Sequence, residues 1–138
     1  MVIKYQRVKK SQLRKALGEK NDCAVVAIAL VCRTTYPKAH ALLTHYGRRT
    51  GGSTETQAIL AAVKDSGFRV ERVEKYLQPN GSRYTPKTIG GYLKRGYYLC
   101  FTAGHVFTVI NGVVEDWSGD SHRRIKSIYK VVRPRRPL

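Results

Sequence analysis

The segment Cys23-Ala24-Val25-Val26-Ala27-Ile28-Ala29-Leu30-Val31 has no polar side at any helical spacing. A helix that is apolar all round must be covered on every side, so this run has to be walled in by the rest of the fold. It is far shorter than the roughly 18 residues that span a bilayer, and no other apolar stretch reaches that length. The pattern predicts a buried central helix from about Cys23 to Cys32, with Asn21 as its N-cap. A chain of 138 residues is enough to bury one such core, not two. Its 42% hydrophobic and 25% charged residues suit a folded soluble domain.

Around that helix the remaining elements fall in a definite order. A second helix is predicted from Pro37 to Tyr46, opened by proline and stopped by Gly47. After a Gly/Ser/Thr loop, a third runs from about Thr54 to Ser66, with Ile59, Leu60 and Val63 on one side. Phe68 to Val73 alternates apolar and charged residues as a strand does. Residues 78–86 read as a loop and residues 86–94 as a short helix. Strand patterns then dominate over Tyr97–Thr102, His105–Ile110, Val113–Trp117 and Ile125–Val132. Helices first and an antiparallel sheet second make an α+β domain covering residues 1–138.

The formal net charge of +17 is concentrated at the two ends. Residues 1–20 carry seven Lys/Arg against one acid, residues 122–138 seven against none, and the long middle twelve against eight. Ends of this kind suit a polyanion such as nucleic acid or an acidic protein, because each phosphate neutralised releases counterions. Lys9, Lys10, Arg14 and Lys15 at one end and Arg123, Arg124, Arg133, Arg135 and Arg136 at the other are the candidate contacts. The plainer alternative is a pair of solubilising tails, the second rich in proline. There is no zinc-finger spacing and no RNA-binding aromatic signature. The first residues lack a signal peptide's apolar stretch, and three cysteines argue for reduced thiols rather than a disulfide framework. The expectation is a protein kept inside the cell, with no membrane partner.

Cys23 opens the apolar helix, and His105 and Asp116 flank the Asn111-Gly112 pair far downstream. Nucleophile, base and orienting carboxylate, in that chain order, are what thiol-based acyl transfer requires. Asn-Gly between two apolar runs is a strong two-residue hairpin signal. With those two as the loop, Ile110 pairs with Val113, Thr108 with Glu115 and Phe107 with Asp116. His105, Phe107 and Asp116 then share a face, the diagonal pair roughly 7–8 Å apart. Glu115 falls on the opposite face, and Asn111 lies about 20 Å along the strand. At the helix N-terminus, unsatisfied N–H groups and the dipole favour a thiolate on Cys23, and Asp22 opposes it unless turned away. Taken singly, a cysteine on an apolar helix is a small buried hydrophobe and a strand histidine a structural residue.

Other reactive side chains are placed less favourably. Cys32 lies about 180° round the helix from Cys23, and Cys100 belongs to a strand core. His40 and His45 sit on a surface-type helix and His122 in a basic loop, and no Cys/His spacing fits zinc. Gly51-Gly52-Ser53-Thr54 lacks the lysine of a phosphate-binding loop. No cofactor is implied.

Asn21-Asp22-Cys23 opening an apolar helix, Tyr36-Pro37 opening the next, Gly47-Arg48 before a Gly/Ser/Thr loop, and Gly104-His105-Val106-Phe107 through Asp116-Trp117 together resemble a papain-like cysteine peptidase. They are most similar to small phage-encoded peptidase-like proteins related to the leader-peptide-cleaving domains of bacteriocin exporters, over roughly residues 11–132. The resemblance implies a papain-like fold and a peptide or protein substrate. It also implies a place in the host cytoplasm or virion, with Cys23 as nucleophile, His105 as proton carrier and Asp116 holding the imidazole. Such enzymes place a glutamine about six residues before the cysteine to help hold the oxyanion; here Leu17 stands there. Gln12 or Asn21, with the Cys23 backbone N–H, would have to replace it, and one oxyanion donor is worth about 10²–10³ in rate. The alternative is a non-catalytic, virion- or nucleic-acid-associated protein on the same scaffold, acting through its basic ends.

Overall fold

In the computed structural model, residues 11–18, 22–49, 54–74, 77–115 and 124–133 are described. Among them, four helices are followed by a five-stranded antiparallel sheet, an α+β arrangement. The helices are α1 (Gln12–Leu17), α2 (Cys23–Val31), α3 (Tyr36–His45) and α4 (Thr56–Asp65). The strands are β1 (Arg69–Arg72), β2 (Tyr97–Thr102), β3 (His105–Ile110), β4 (Val113–Glu115) and β5 (Ser127–Val132), in the order β1-β5-β2-β3-β4.

Helix α2 is the centre of the molecule. Every residue of it except Cys23 is buried, and its walls are β3 on one side and α3 and α4 on the other. The Thr35 hydroxyl caps α3 by accepting from the Lys38 N–H, and Pro37 stands in the first turn. Tyr36, Ala39 and Leu43 form its buried stripe, and Ile59, Leu60, Ala62 and Val63 form that of α4.

Strands β2 and β3 are buried on both faces, which is why their sequences run apolar instead of alternating. Leu99, Phe101, Val106, Ile110 and Val131 face the helices. Cys100, Phe107, Val109 and Ile128 face a second layer containing Tyr84, Ile89, Leu93 and Ile125.

Three sequence expectations are corrected. The residue before α2 is Asp22 rather than Asn21, and its carboxylate makes no cap bond because it is engaged elsewhere; Asn21 lies outside the described residues. Helix α1 falls inside the expected basic N-terminal end. It is too short to show an apolar period, and only Leu13 packs on the core. The helix expected over 86–94 contracts to a 3-10 turn at Ile89–Gly91. Gly90-Gly91 weakens helix formation, and a Cβ at Gly90 would collide with the carbonyl oxygen of Gly112 in the facing hairpin.

Candidate active site

The hairpin has the register expected from its turn. Ile110 pairs with Val113, Val109 with Val114 and Thr108 with Glu115. Asn111 (φ 48°) and Gly112 (φ 83°) both take the left-handed backbone that a tight two-residue turn demands. Asn111 also exchanges bonds with Gly96, its N–H donating to the Gly96 carbonyl and its side-chain oxygen accepting from the Gly96 N–H. His105 and Phe107 lie on one side of β3 with their rings stacked, centroids 6.2 Å apart. Asp116 lies outside the described residues.

Cys23 and His105 are brought together. The thiol is half-buried at the first position of α2, and the His105 side chain is its hydrogen-bonding partner. Two backbone N–H groups also point at the sulfur, those of Ala24 and Val106. The first belongs to the opening turn of the helix, where N–H groups have no intrahelical acceptor. The second lies on β3. The described β3–β4 ladder ends at Thr108–Glu115, and Val106, two residues further along that strand, directs its N–H to the sulfur. The thiol therefore lies beside β3, within reach of both the backbone at 106 and the side chain at 105.

These contacts set the acidity of the thiol. Burial alone raises it, but the His105 hydrogen bond, the two backbone N–H groups and the attraction of the imidazolium outweigh burial and hold Cys23 below an ordinary thiol. The other two cysteines go the opposite way. Burial pushes Cys32 up to about 11, and fully buried Cys100 is pushed up further. Only Cys23 among the three has the environment of a nucleophile.

Asp22 is turned away from the thiol. Its Oδ2 accepts from Arg14 Nε at 2.6 Å and from the Tyr36 hydroxyl at 2.8 Å, and the residue is 6% exposed. Arg14, one of the candidate polyanion contacts, is thus paired with Asp22 in the structure. The composition of the segment carried no signal for that pairing, nor for the role of the Val106 N–H.

The remaining predicted site residues stand apart from this centre or outside the described chain. Gln12 is exposed at the start of α1, and Leu17 is 40% exposed at its end. Lys15, Arg124 and Arg133 are exposed. Lys9, Lys10, Arg123, Arg135 and Arg136 lie outside the described residues, as does His122. Among the described residues, no cluster of three His, Cys, Asp or Glu side chains has the geometry of a metal site. Among the described residues, no helix is long and apolar enough to cross a membrane.

The chain matches no protein-family model, and no curated protein or solved structure is significantly similar to it.

Proposed function

We propose that this protein is a papain-like cysteine peptidase, a thiol acyl hydrolase with Cys23 as nucleophile and His105 as proton carrier. Asp116, next along the chain from Glu115, is assigned to orient the imidazole. The observation that carries the proposal is the convergence of the His105 side chain and two backbone N–H groups on the Cys23 sulfur, contacts that favour the thiolate against burial. A cysteine at the head of a buried helix, set against a histidine on an antiparallel sheet, is also the arrangement that papain-like chemistry uses.

In the proposed cycle the Cys23 thiolate attacks a substrate carbonyl carbon and the carbonyl electron pair moves onto oxygen. The backbone N–H of Cys23, which has no intrahelical acceptor at the first position of α2, is assigned as a donor to that oxyanion. Collapse breaks the bond to the leaving amine, which takes its proton from the His105 imidazolium. Water, deprotonated by His105, then releases the acyl group and restores the thiol. Peptide, isopeptide and other acyl substrates fit the same three residues.

The test is the pH dependence of iodoacetamide alkylation, read at each cysteine by peptide mass. Cys23 in the native protein is expected to react with a midpoint below that of a free thiol, and His105→Ala to move it upward. Equal midpoints in the two proteins would remove the basis of the proposal, leaving Cys23 as a packing residue.

A further inference from the structure

The layer that covers the sheet on the side away from α2 has a chemistry of its own. Between Glu74 and Glu115 the chain contains no Asp or Glu, and none follows Asp120. Arg83, Lys87, Lys94 and Arg95 in that layer are all exposed. The Ile125 N–H donates to the Tyr84 carbonyl at 2.9 Å, which brings exposed Arg124 and Lys126 to the same layer.

Three tyrosines lie within this basic field. Tyr84 and Tyr92 are stacked, 4.8 Å between centroids and 12° between planes. Tyr98 is their neighbour, its hydroxyl pushed up by burial and by Tyr92. The Lys130 ammonium stands over the Tyr98 ring at 6.0 Å. Tyr84 and Tyr98 are almost fully covered, but Tyr92 is 40% exposed. Glu71 is the exposed acid directly across from Lys130, and it sits on edge strand β1 with Arg69 3.9 Å away.

We propose that this face binds single-stranded nucleic acid, with Tyr92 offering a stacking platform for an unpaired base and the surrounding lysines and arginines taking the phosphates. Cations alone would suit any polyanion. The exposed tyrosine, already braced by Tyr84, distinguishes the face, because every base has a flat surface to stack and a duplex keeps those surfaces hidden. Arg124, Lys126 and Lys130 belong to the basic C-terminal stretch, whereas Arg83, Lys87, Tyr92, Lys94 and Arg95 do not. None of them is a thiol contact, so the surface stands whether or not Cys23 is a nucleophile.

The experiment is a salt titration of binding between the full chain and a labelled oligo(dT). It is repeated with Tyr92→Phe, Tyr92→Ala, Lys94→Ala/Arg95→Ala and Arg135→Ala/Arg136→Ala. Tyr92→Ala is expected to weaken binding roughly tenfold, the loss of one stacked base, with Tyr92→Phe retaining it. Lys94→Ala/Arg95→Ala, both exposed and safe for the fold, is expected to lower the log–log salt slope by about 1.4, near 0.7 per phosphate contact on a single strand. Unchanged affinity and slope in the Lys94/Arg95 variant would overturn the proposal. So would loss of binding confined to the Arg135/Arg136 variant, or binding of heparin, duplex DNA or anionic vesicles in preference to the oligonucleotide.

Discussion

The hydroxyl of Thr108 donates to the carbonyl oxygen of Ala27 at 3.4 Å, across 81 positions of chain. Ala27 lies one turn after Cys23 on α2, and Thr108 three residues after His105 on β3. The bond is fully buried and ties the two elements in the register that brings thiol to imidazole. A slip of one residue along β3 would present the opposite side-chain face to the helix.

Thr108→Val keeps the shape of that contact and removes the donor. The expected cost is about 1 kcal/mol by urea unfolding, since the Ala27 carbonyl keeps its place in the helix. The alkylation midpoint of Cys23 is expected to rise as the imidazole loses its fixed position. An unchanged midpoint would mean that apolar packing alone sets the register.

Asp22 is the negative charge closest along the chain to the thiol, and Arg14 and Tyr36 hold it away. Tyr36→Phe should destabilise the fold by roughly 1.5–3 kcal/mol, the range for a hydrogen bond to a charged group. Arg14→Ala releases the carboxylate toward Cys23, and a nearby like charge raises a thiol's pKa. Alkylation of Cys23 in Arg14→Ala should therefore shift to higher pH, and adding Asp22→Asn should reverse the shift. A shift that persists in the double variant would point to a displaced helix instead.

Gly90 and Gly91 make a matched pair for testing the second layer. A Cβ at Gly90 meets the backbone of Gly112, whereas one at Gly91 meets open space. Gly90→Ala is expected to cost about 1–3 kcal/mol through overpacking, and Gly91→Ala to be close to neutral. Similar urea midpoints for both variants would show that the turn can back away from the hairpin.

Cys32 makes stability depend on pH in the alkaline range. Its folded-state pKa is raised from 9.0 to about 11, so the folded protein holds a proton that the unfolded chain has lost. The stabilisation is complete below pH 9 and is lost as pH rises through about 11. The Tm should fall across that window, and Cys32→Ala should lessen the fall, leaving the part that buried Cys100 contributes. An equally steep decline in Cys32→Ala would assign the effect to other groups.

What was legible in the sequence was local. Asn111-Gly112 set the turn, and the two-residue period then fixed which side chains share a face. The bounds of β2 and β3 and the pairing of Thr108 with Glu115 follow from those rules alone. The apolar run beginning at Cys23 likewise announced a buried helix, because its composition leaves it no solvent face. Tertiary contacts decided the rest. The six residues of α1 have no periodic signature, and the pairing of Arg14 with Asp22 places them. The direction of the Asp22 carboxylate depended on Tyr36, fourteen residues away, and the Val106 N–H became a thiol ligand only through the packing of β3 on α2. Backbone propensity and side-chain period act within a few residues, so a sequence displays them directly. The acidity of Cys23 arises from groups more than eighty positions apart, which come together only when the core closes.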